Sequence, residues 1–238
     1  MSQTSKNWWD FGRFVKTLSY FGAVPWLSDQ SWFQAMMGSR PNPTVDLTHQ
    51  SSPQTMETAN RRVILDFSQP DLNLADVWGP LDDVVMGGVS ESGVRIESGV
   101  GVFSGYVSTA NNGGFASVRS RNFDPPLDLS GFDGIELNVK GDGQRYKFFL
   151  RTEAQWDGVA HCYSFDTTPG EWITLQMPFS DFVAVFRAKT VDNASLHLNC
   201  MTALQLMLSK FEFDKALNPH FTPGRFELQV QSIAAYRA

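Results

Sequence analysis

The 238-residue chain is 42% hydrophobic, 13% aromatic and 18% charged, so it has enough apolar surface to build a core and is not disordered throughout. It contains no run of 18 apolar residues for a spanning helix, and its two cysteines are too few for a disulfide scaffold. The net charge is −6, and residues 1–62 hold six basic and four acidic side chains, so residues 63–238 carry −8. An acidic main part of the chain argues against nucleic acid as a partner, because phosphate binding needs a basic surface.

Aromatic residues are concentrated in the first part of the chain, where nine of the 31 lie within residues 1–33. Apolar side chains at helical spacing predict one amphipathic helix within residues 6–21 and a second, shorter helix within residues 29–37. Two interpretations stay open. The helices pack on the body of the protein, or they lie on a membrane surface or dock a membrane-protein partner, since tryptophan and basic side chains combine an apolar body with a polar tip. The residues predicted to dock are Trp8, Trp9, Phe11, Phe14, Val15, Leu18, Phe21, Trp32 and Phe33.

A polar linker is predicted over residues 39–62, which are rich in Ser, Thr, Pro, Gln and Asn. It separates a helical extension, residues 1–38, from a main domain, residues 63–238. Short strand-like runs recur in the main domain, and several alternate apolar and polar residues as half-buried antiparallel strands do. These runs are 63–67, 94–96, 101–107, 115–120, 134–139, 146–151, 159–165, 172–177, 203–208 and 226–236. The prediction is a mainly β, two-sheet sandwich with a short α-helical N-terminal extension.

The sequence contains no catalytic, metal-binding or cofactor-binding motif. The histidines at 49, 161, 197 and 220 are isolated from one another, and none has a metal-ligand spacing. A nucleophile elbow, a phosphate-binding loop and a dinucleotide fingerprint are all missing, and Cys162 is predicted to be a buried strand thiol. We therefore predict no enzyme activity, no catalytic residue, no metal and no cofactor.

Two glycine-rich loops, residues 78–90 and 111–120, place polar side chains beside paired glycines that allow close backbone approach. Taken alone, such loops are usually ordinary turns. The two together, in this order and spacing, are a more specific signal.

The first loop contains LDDVVMGGVSES, residues 81–92, and the second follows in FSGYVSTANNGGFASVRS, residues 103–120. These segments resemble the signature of the complex I intermediate-associated protein 30 family. Agreement continues at residues 129–135, at Trp172 and at residues 178–182, 206–210, 224–226 and 233–236. The resemblance covers nearly all of residues 63–238, whereas residues 186–189 and 211–223 depart from the family pattern.

The resemblance implies a galactose-binding-like jelly-roll sandwich. It also implies a non-enzymatic assembly factor or chaperone for a membrane-bound NADH dehydrogenase, with relatives in photosynthetic organisms linked to thylakoid complexes. The expected partners are subunits of a membrane protein complex and a membrane surface. The expected location is peripheral, on the cytoplasmic face of a bacterial or thylakoid membrane.

The family supplies no catalytic residues, so the two loops are predicted to be the partner-binding surface. The residues concerned are Asp82, Asp83, Met86, Gly87, Gly88, Ser90, Asn111, Asn112, Gly113, Gly114, Phe115 and Arg119. The acidic and amide side chains either bind a partner or hold the loops closed, and Arg119 is expected to pair with one of the two acids across the hairpins. The alternative function is a carbohydrate- or lipid-headgroup-binding module, with Trp156 as its aromatic platform.

Overall fold

A computed structural model of the chain describes residues 60–69, 74–155 and 157–238, together with Gly12, Arg13, Val15 and Thr17. Within these residues two antiparallel sheets pack around a shared core. The strands are β1 (Arg61–Asp66), β2 (Trp78–Pro80), β3 (Glu91–Glu97), β4 (Val100–Val107), β5 (Phe115–Ser120), β6 (Gly134–Lys140), β7 (Arg145–Arg151), β8 (Ala160–Asp166), β9 (Trp172–Pro178), β10 (Val183–Phe186), β11 (Lys189–Thr190), β12 (Ala203–Ser209) and β13 (Gly224–Tyr236). Short helical segments cover Leu74–Val77, Asp83–Met86, Ala110–Asn112 and Phe179–Asp181. The predicted mainly β sandwich is confirmed.

The six-stranded sheet has the order β3-β4-β13-β6-β9, with β1 also paired to β13. The seven-stranded sheet has the order β11-β10-β8-β7-β12-β5-β2. β2 and β3 are edge strands of different sheets, and β5 and β4 lie next to them. The connections from β2 to β3 and from β4 to β5 therefore both cross between the sheets on the same side of the sandwich.

Period-two alternation builds the core, as β6 illustrates. Ile135, Leu137 and Val139 are fully buried between the sheets, whereas Glu136 and Asn138 on the opposite face are partly exposed. Burying one such aliphatic side chain contributes about 1.5–3 kcal/mol, which explains why this face is turned inward.

The long strand β13 changes its inward-facing positions part of the way along. Phe226 and Val230 face the core in its first half, where it pairs with β4. A register shift between Val230 and Ser232 then inserts one residue, so Ile233 and Ala235 become the buried positions. The irregularity lets one strand pair with β4, β6 and β1 without turning its apolar face to solvent.

All ten predicted strands are present, but three short ones were not predicted: β2, β10 and β11. The turn between β10 and β11 is formed by Arg187 and Ala188, both in the left-handed region with φ of 49° and 61°. Neither residue is a usual signal for such a turn, so sequence reasoning missed this hairpin. Its turn lies within residues 186–189, where the sequence was expected to depart from the family pattern.

Two sequence predictions lie largely outside the described residues. Of the predicted linker over 39–62, only residues 60–62 are described. Of the two predicted N-terminal helices, only Gly12, Arg13, Val15 and Thr17 are described, and these four have helical backbone conformation.

Candidate functional site

The two glycine-rich loops meet where the chain crosses between the sheets. We call residues 81–92 and 108–117 the crossover site. The first loop leaves β2, forms the 3-10 helix Asp83–Met86 and enters β3, and the second leaves β4 and enters β5 through Ala110–Asn112. The site is therefore assembled by strand order, from segments about 30 residues apart in the chain.

Asp83 joins the two loops. Its carboxylate is fully buried, and within the first loop it accepts hydrogen bonds from the amide of Ser90 at 2.9 Å and the hydroxyl of Ser90 at 2.7 Å. From the second loop it accepts the amide protons of Gly114 at 2.7 Å and Phe115 at 3.3 Å. A buried carboxylate needs such donors to compensate for lost hydration, so Asp83 fixes one loop against the other.

Asp82 makes a parallel connection one residue earlier. It is 1% exposed, and its carboxylate accepts the hydroxyl proton of Ser92 at 2.6 Å, the Ser92 amide at 3.0 Å and the Ser117 amide at 2.9 Å. Arg13 lies 3.5 Å from this carboxylate and donates to the carbonyl oxygen of Ser90 at 3.2 Å. Burial raises the pKa of Asp82 to about 6, although the hydrogen bonds and the Arg13 charge act in the opposite direction.

Two of the glycines are required by the position of the Asp83 side chain. A Cβ atom on Gly88 or on Gly113 would overlap the Asp83 carboxylate group. The backbone of both loops can thus approach the buried acid only where no side chain is present. This accounts for one glycine of each pair, whereas Gly87 and Gly114 have positive φ of 88° and 138°.

The pairing expected between Arg119 and an acid of the crossover site is wrong. The Arg119 guanidinium is buried and donates to Asn122 Oδ1 at 3.1 Å and to the Gln155 carbonyl at 3.4 Å, beyond the opposite end of β5. Burial, with the nearby charge of Arg151, lowers the pKa of Arg119 to about 9. Serine hydroxyls and backbone amides supply the hydrogen bonds to Asp82 and Asp83, and the arginine that lies beside Asp82 is Arg13.

Several side chains of the crossover site face solvent. Met86 is 68% exposed and Val89 is 46% exposed on the first loop, and Asn111 and Asn112 are exposed on the second loop. Glu91, Thr109 and Ala110 are exposed as well. Both asparagines adopt left-handed conformations, with φ of 54° and 60°, which asparagine tolerates better than most residues. The site thus has a polar, buried interior and a mixed apolar and amide surface.

Sequence reasoning missed four contributors to this site: Arg13, Ser92, Ser108 and Ser117. Ser108 links the loops through its amide, which donates to the Ser90 hydroxyl at 3.0 Å. The spacing of Ser90 and Ser92 was a usable signal, because residues two apart at the start of a strand share one face. Arg13 and Ser117 gave no local signal.

Of the nine residues predicted to dock through the N-terminus, only Val15 is described, and its side chain is buried against the rest of the chain. The other eight lie outside the described residues, as does Trp156. Helices long and apolar enough to span a bilayer are not found in the described part of the chain.

The remaining candidate residues have no arrangement that suggests catalysis. Cys162 is a buried thiol, as predicted, and burial raises its pKa. His161 is buried with Nε2 3.3 Å from the Ala194 carbonyl oxygen, and burial lowers its pKa. Among residues 60–69, 74–155 and 157–238, no cluster of His, Cys, Asp and Glu is placed to hold a metal ion.

Comparison with solved structures supports the jelly-roll sandwich. The family 11 carbohydrate-binding module of a cellulosomal cellulase of Clostridium thermocellum superposes with a TM-score of 0.55 at 20% sequence identity, covering 75% of this chain and 95% of that chain. At this identity the likeness concerns the fold alone.

Comparison of sequences identifies the family. The mitochondrial complex I intermediate-associated protein 30 of Drosophila melanogaster is 24% identical over 160 residues, 59% of this chain and 53% of that protein. The chain thus spans about half the length of this relative. The family model for complex I intermediate-associated protein 30 matches residues 65–230, from β1 into β13. The chain belongs to the complex I intermediate-associated protein 30 family.

Proposed function

We propose that the chain is a non-enzymatic assembly factor or chaperone that holds a subunit of a membrane-bound energy-converting complex, such as a respiratory or photosynthetic NADH dehydrogenase-like complex or a photosystem. The family supports this proposal, because its description names an association with complex I intermediates. The Drosophila relative carries the same description and is named as mitochondrial. The proposal assigns binding rather than catalysis to this chain.

The partner-binding surface in this proposal is the crossover site. The observation that carries it is the pair of exposed apolar side chains, Met86 and Val89, above loops that the buried Asp82 and Asp83 fix in place. A surface held rigid before binding loses less conformational entropy when a partner docks. The exposed amides of the second loop supply hydrogen bonds around this apolar centre, as in the polar rim of protein interfaces.

The N-terminal segment is proposed to act together with the crossover site. Arg13 contacts Asp82 and Ser90, so this part of the segment lies beside the proposed partner surface. Trp8, Trp9 and the following aromatic residues would then bring the sandwich to a membrane-protein partner or to the membrane surface. A location on the cytoplasmic face of a bacterial or thylakoid membrane is part of this proposal.

The test is capture of client subunits from detergent-solubilised membranes of the source cells, using the tagged full chain and quantitative mass spectrometry. We expect the unmodified chain to recover subunits of one membrane complex. The double variant Met86→Asp and Val89→Asp should recover about tenfold less, because it places charge at the centre of the contact.

The matched control is Val183→Asp, which changes a 38%-exposed apolar residue on β10, four strands away from β5 in the seven-stranded sheet. This variant should recover the same subunits in the same amount as the unmodified chain. Equal recovery by the double variant would exclude the crossover site as the partner surface. Recovery of no membrane-complex subunit by any of the three proteins would contradict the assembly function itself.

A further inference from the structure

The outer face of the six-stranded sheet contains an open cleft that borders the crossover site at Glu91 and extends away from it across β4 and β13. Alternate residues of β3, β4 and β13 point outward here, opposite the core. The cleft has a volume of about 700 Å³. It is lined by Glu91, Arg95, Ser104, Gly105, Tyr106, Asp142, Arg225, Phe226 and Glu227.

Two large aromatic side chains are exposed on this face. Tyr106, on β4, lines the cleft and is 56% exposed, and Trp172, on β9, is 43% exposed. Tyr106 is paired with Arg225, and Trp172 is paired through Lys140 with Gln229, four residues further along β13. The two residues are three strand spacings apart across the sheet and four residues apart along the strands. Combining the two distances separates them by roughly 20 Å. A ligand that contacts both rings must therefore be an extended chain.

The surface between the rings is polar and nearly balanced in charge. Arg95 lies 3.5 Å from Glu227, and the Glu227 carboxylate also accepts a hydrogen bond from Gln229 at 2.9 Å. Closer to Trp172, the amide of Asn138 donates to the hydroxyl of Thr174 at 2.8 Å. Side chains of this kind donate and accept hydrogen bonds without creating a net field of either sign.

These features select one chemical class. A nucleic acid or an anionic headgroup requires a basic surface, whereas this cleft is lined by three carboxylates and only two arginines. The centre of a protein interface is depleted in charged residues, whereas this cleft is rich in them. A neutral sugar chain offers apolar C–H faces to aromatic rings and hydroxyl groups to charged and amide side chains. We propose that this face binds a neutral, extended polysaccharide, with Tyr106 and Trp172 as its two aromatic contacts.

Affinity electrophoresis of the full chain tests the proposal in native gels that contain soluble hydroxyethylcellulose, arabinoxylan or galactomannan. We expect at least one of these neutral polymers to retard the protein. The double variant Tyr106→Ala and Trp172→Ala should bind about tenfold more weakly, because both rings are contact centres. Tyr106→Phe retains the ring and should bind within a few-fold of the unmodified chain.

The matched control is Phe186→Ala, which removes an exposed aromatic side chain from the seven-stranded sheet and should leave retardation unchanged. Thermal unfolding of each variant checks that the fold is retained. Mobility unaffected by all three polymers overturns the proposal, and so does equal retardation of the unmodified chain and the double variant. A further gel contains dextran sulfate, and retardation that occurs only there and is lost on adding salt would identify ionic binding and also overturn the proposal.

Discussion

Asp82 and Asp83 are adjacent in the chain, but their carboxylates connect different parts of the crossover site. Asp83 receives donors from both loops, whereas Asp82 joins the start of β3 to β5 and also faces Arg13. Of the two interpretations offered by the sequence, these contacts favour the one in which the acids hold the loops closed. In the proposed function, the partner is contacted by exposed neighbours of the two acids, such as Met86 and Asn111.

Asp83→Ala should lower the free energy of unfolding by about 3 kcal/mol, because it leaves the buried amides of Ser90 and Gly114 without their acceptor. Urea unfolding at neutral pH measures this loss. Asp192→Ala, at an exposed aspartate, is the control and should change stability by less than about 0.5 kcal/mol. Similar stabilities for the two variants would mean that Asp83 does not secure the loops.

The pKa of Asp82 predicts a pH effect of defined sign. Its folded-state pKa of about 6 lies above the unfolded value of 3.8, so the folded protein holds this proton more tightly. The resulting stability is present below about pH 4 and is lost as the pH rises through 6, by roughly 3 kcal/mol in total. Relative to that of Asp82→Asn, the unfolding free energy of the unmodified chain should therefore fall as the pH rises from about 4 to 7. A pH-independent difference would contradict the raised pKa.

At the scale of elements, the connections from β2 to β3 and from β4 to β5 depend on close packing of their backbone against the buried Asp83 side chain. Gly88 and Gly113 belong to different loops, yet both are limited by the same Asp83 carboxylate. The short 3-10 helix Asp83–Met86 gives the acid its position, and Gly87 ends that helix with a left-handed φ of 88°. The shape of the two loops therefore depends on the buried Asp83 side chain, and the burial of Asp83 depends on the glycines of the loops.

Gly113→Ala should destabilise the protein by about 1–3 kcal/mol, because the added methyl group overlaps the Asp83 carboxylate. The effect is steric, since the φ of Gly113 is −64° and suits any residue. Gly93→Ala on β3 is the matched control, as its Cβ would meet no atom within 4 Å. Thermal unfolding should show a clear loss for the first variant and little change for the second. The reverse order would exclude the overlap as the cause.

At the scale of the whole molecule, two candidate surfaces lie on the sandwich and meet at Glu91: the crossover site at one side and the cleft on the outer face of the six-stranded sheet. Arg13 connects the N-terminal segment to the first of these through Asp82 and Ser90. The segment and the crossover site are therefore expected to act together in membrane recruitment.

Deletion of residues 1–38 should move the protein from the membrane fraction to the soluble fraction of fractionated source cells, because it removes the aromatic docking residues. The full-length variant Trp8→Asp and Trp9→Asp should do the same while keeping the Arg13 contact. Val183→Asp, an exposed substitution on β10 of the sandwich, should leave the distribution unchanged. If both N-terminal variants stay in the membrane fraction, the segment does not recruit the protein.

The sequence by itself determined the strands, the sandwich and the family, because alternation, turn residues and ordered motifs are local properties of the chain. β6 and β13 were predicted from alternation alone, while the β10–β11 hairpin was missed because its turn residues are unusual. The tertiary structure decided what the two acids bind, why Arg119 is not their partner and where Tyr106 and Trp172 lie relative to one another. Those properties depend on sheet pairing, which brings together residues such as Asp83 and Gly114 that are 31 positions apart. Only strand order and register determine which residues meet at such distances along the chain.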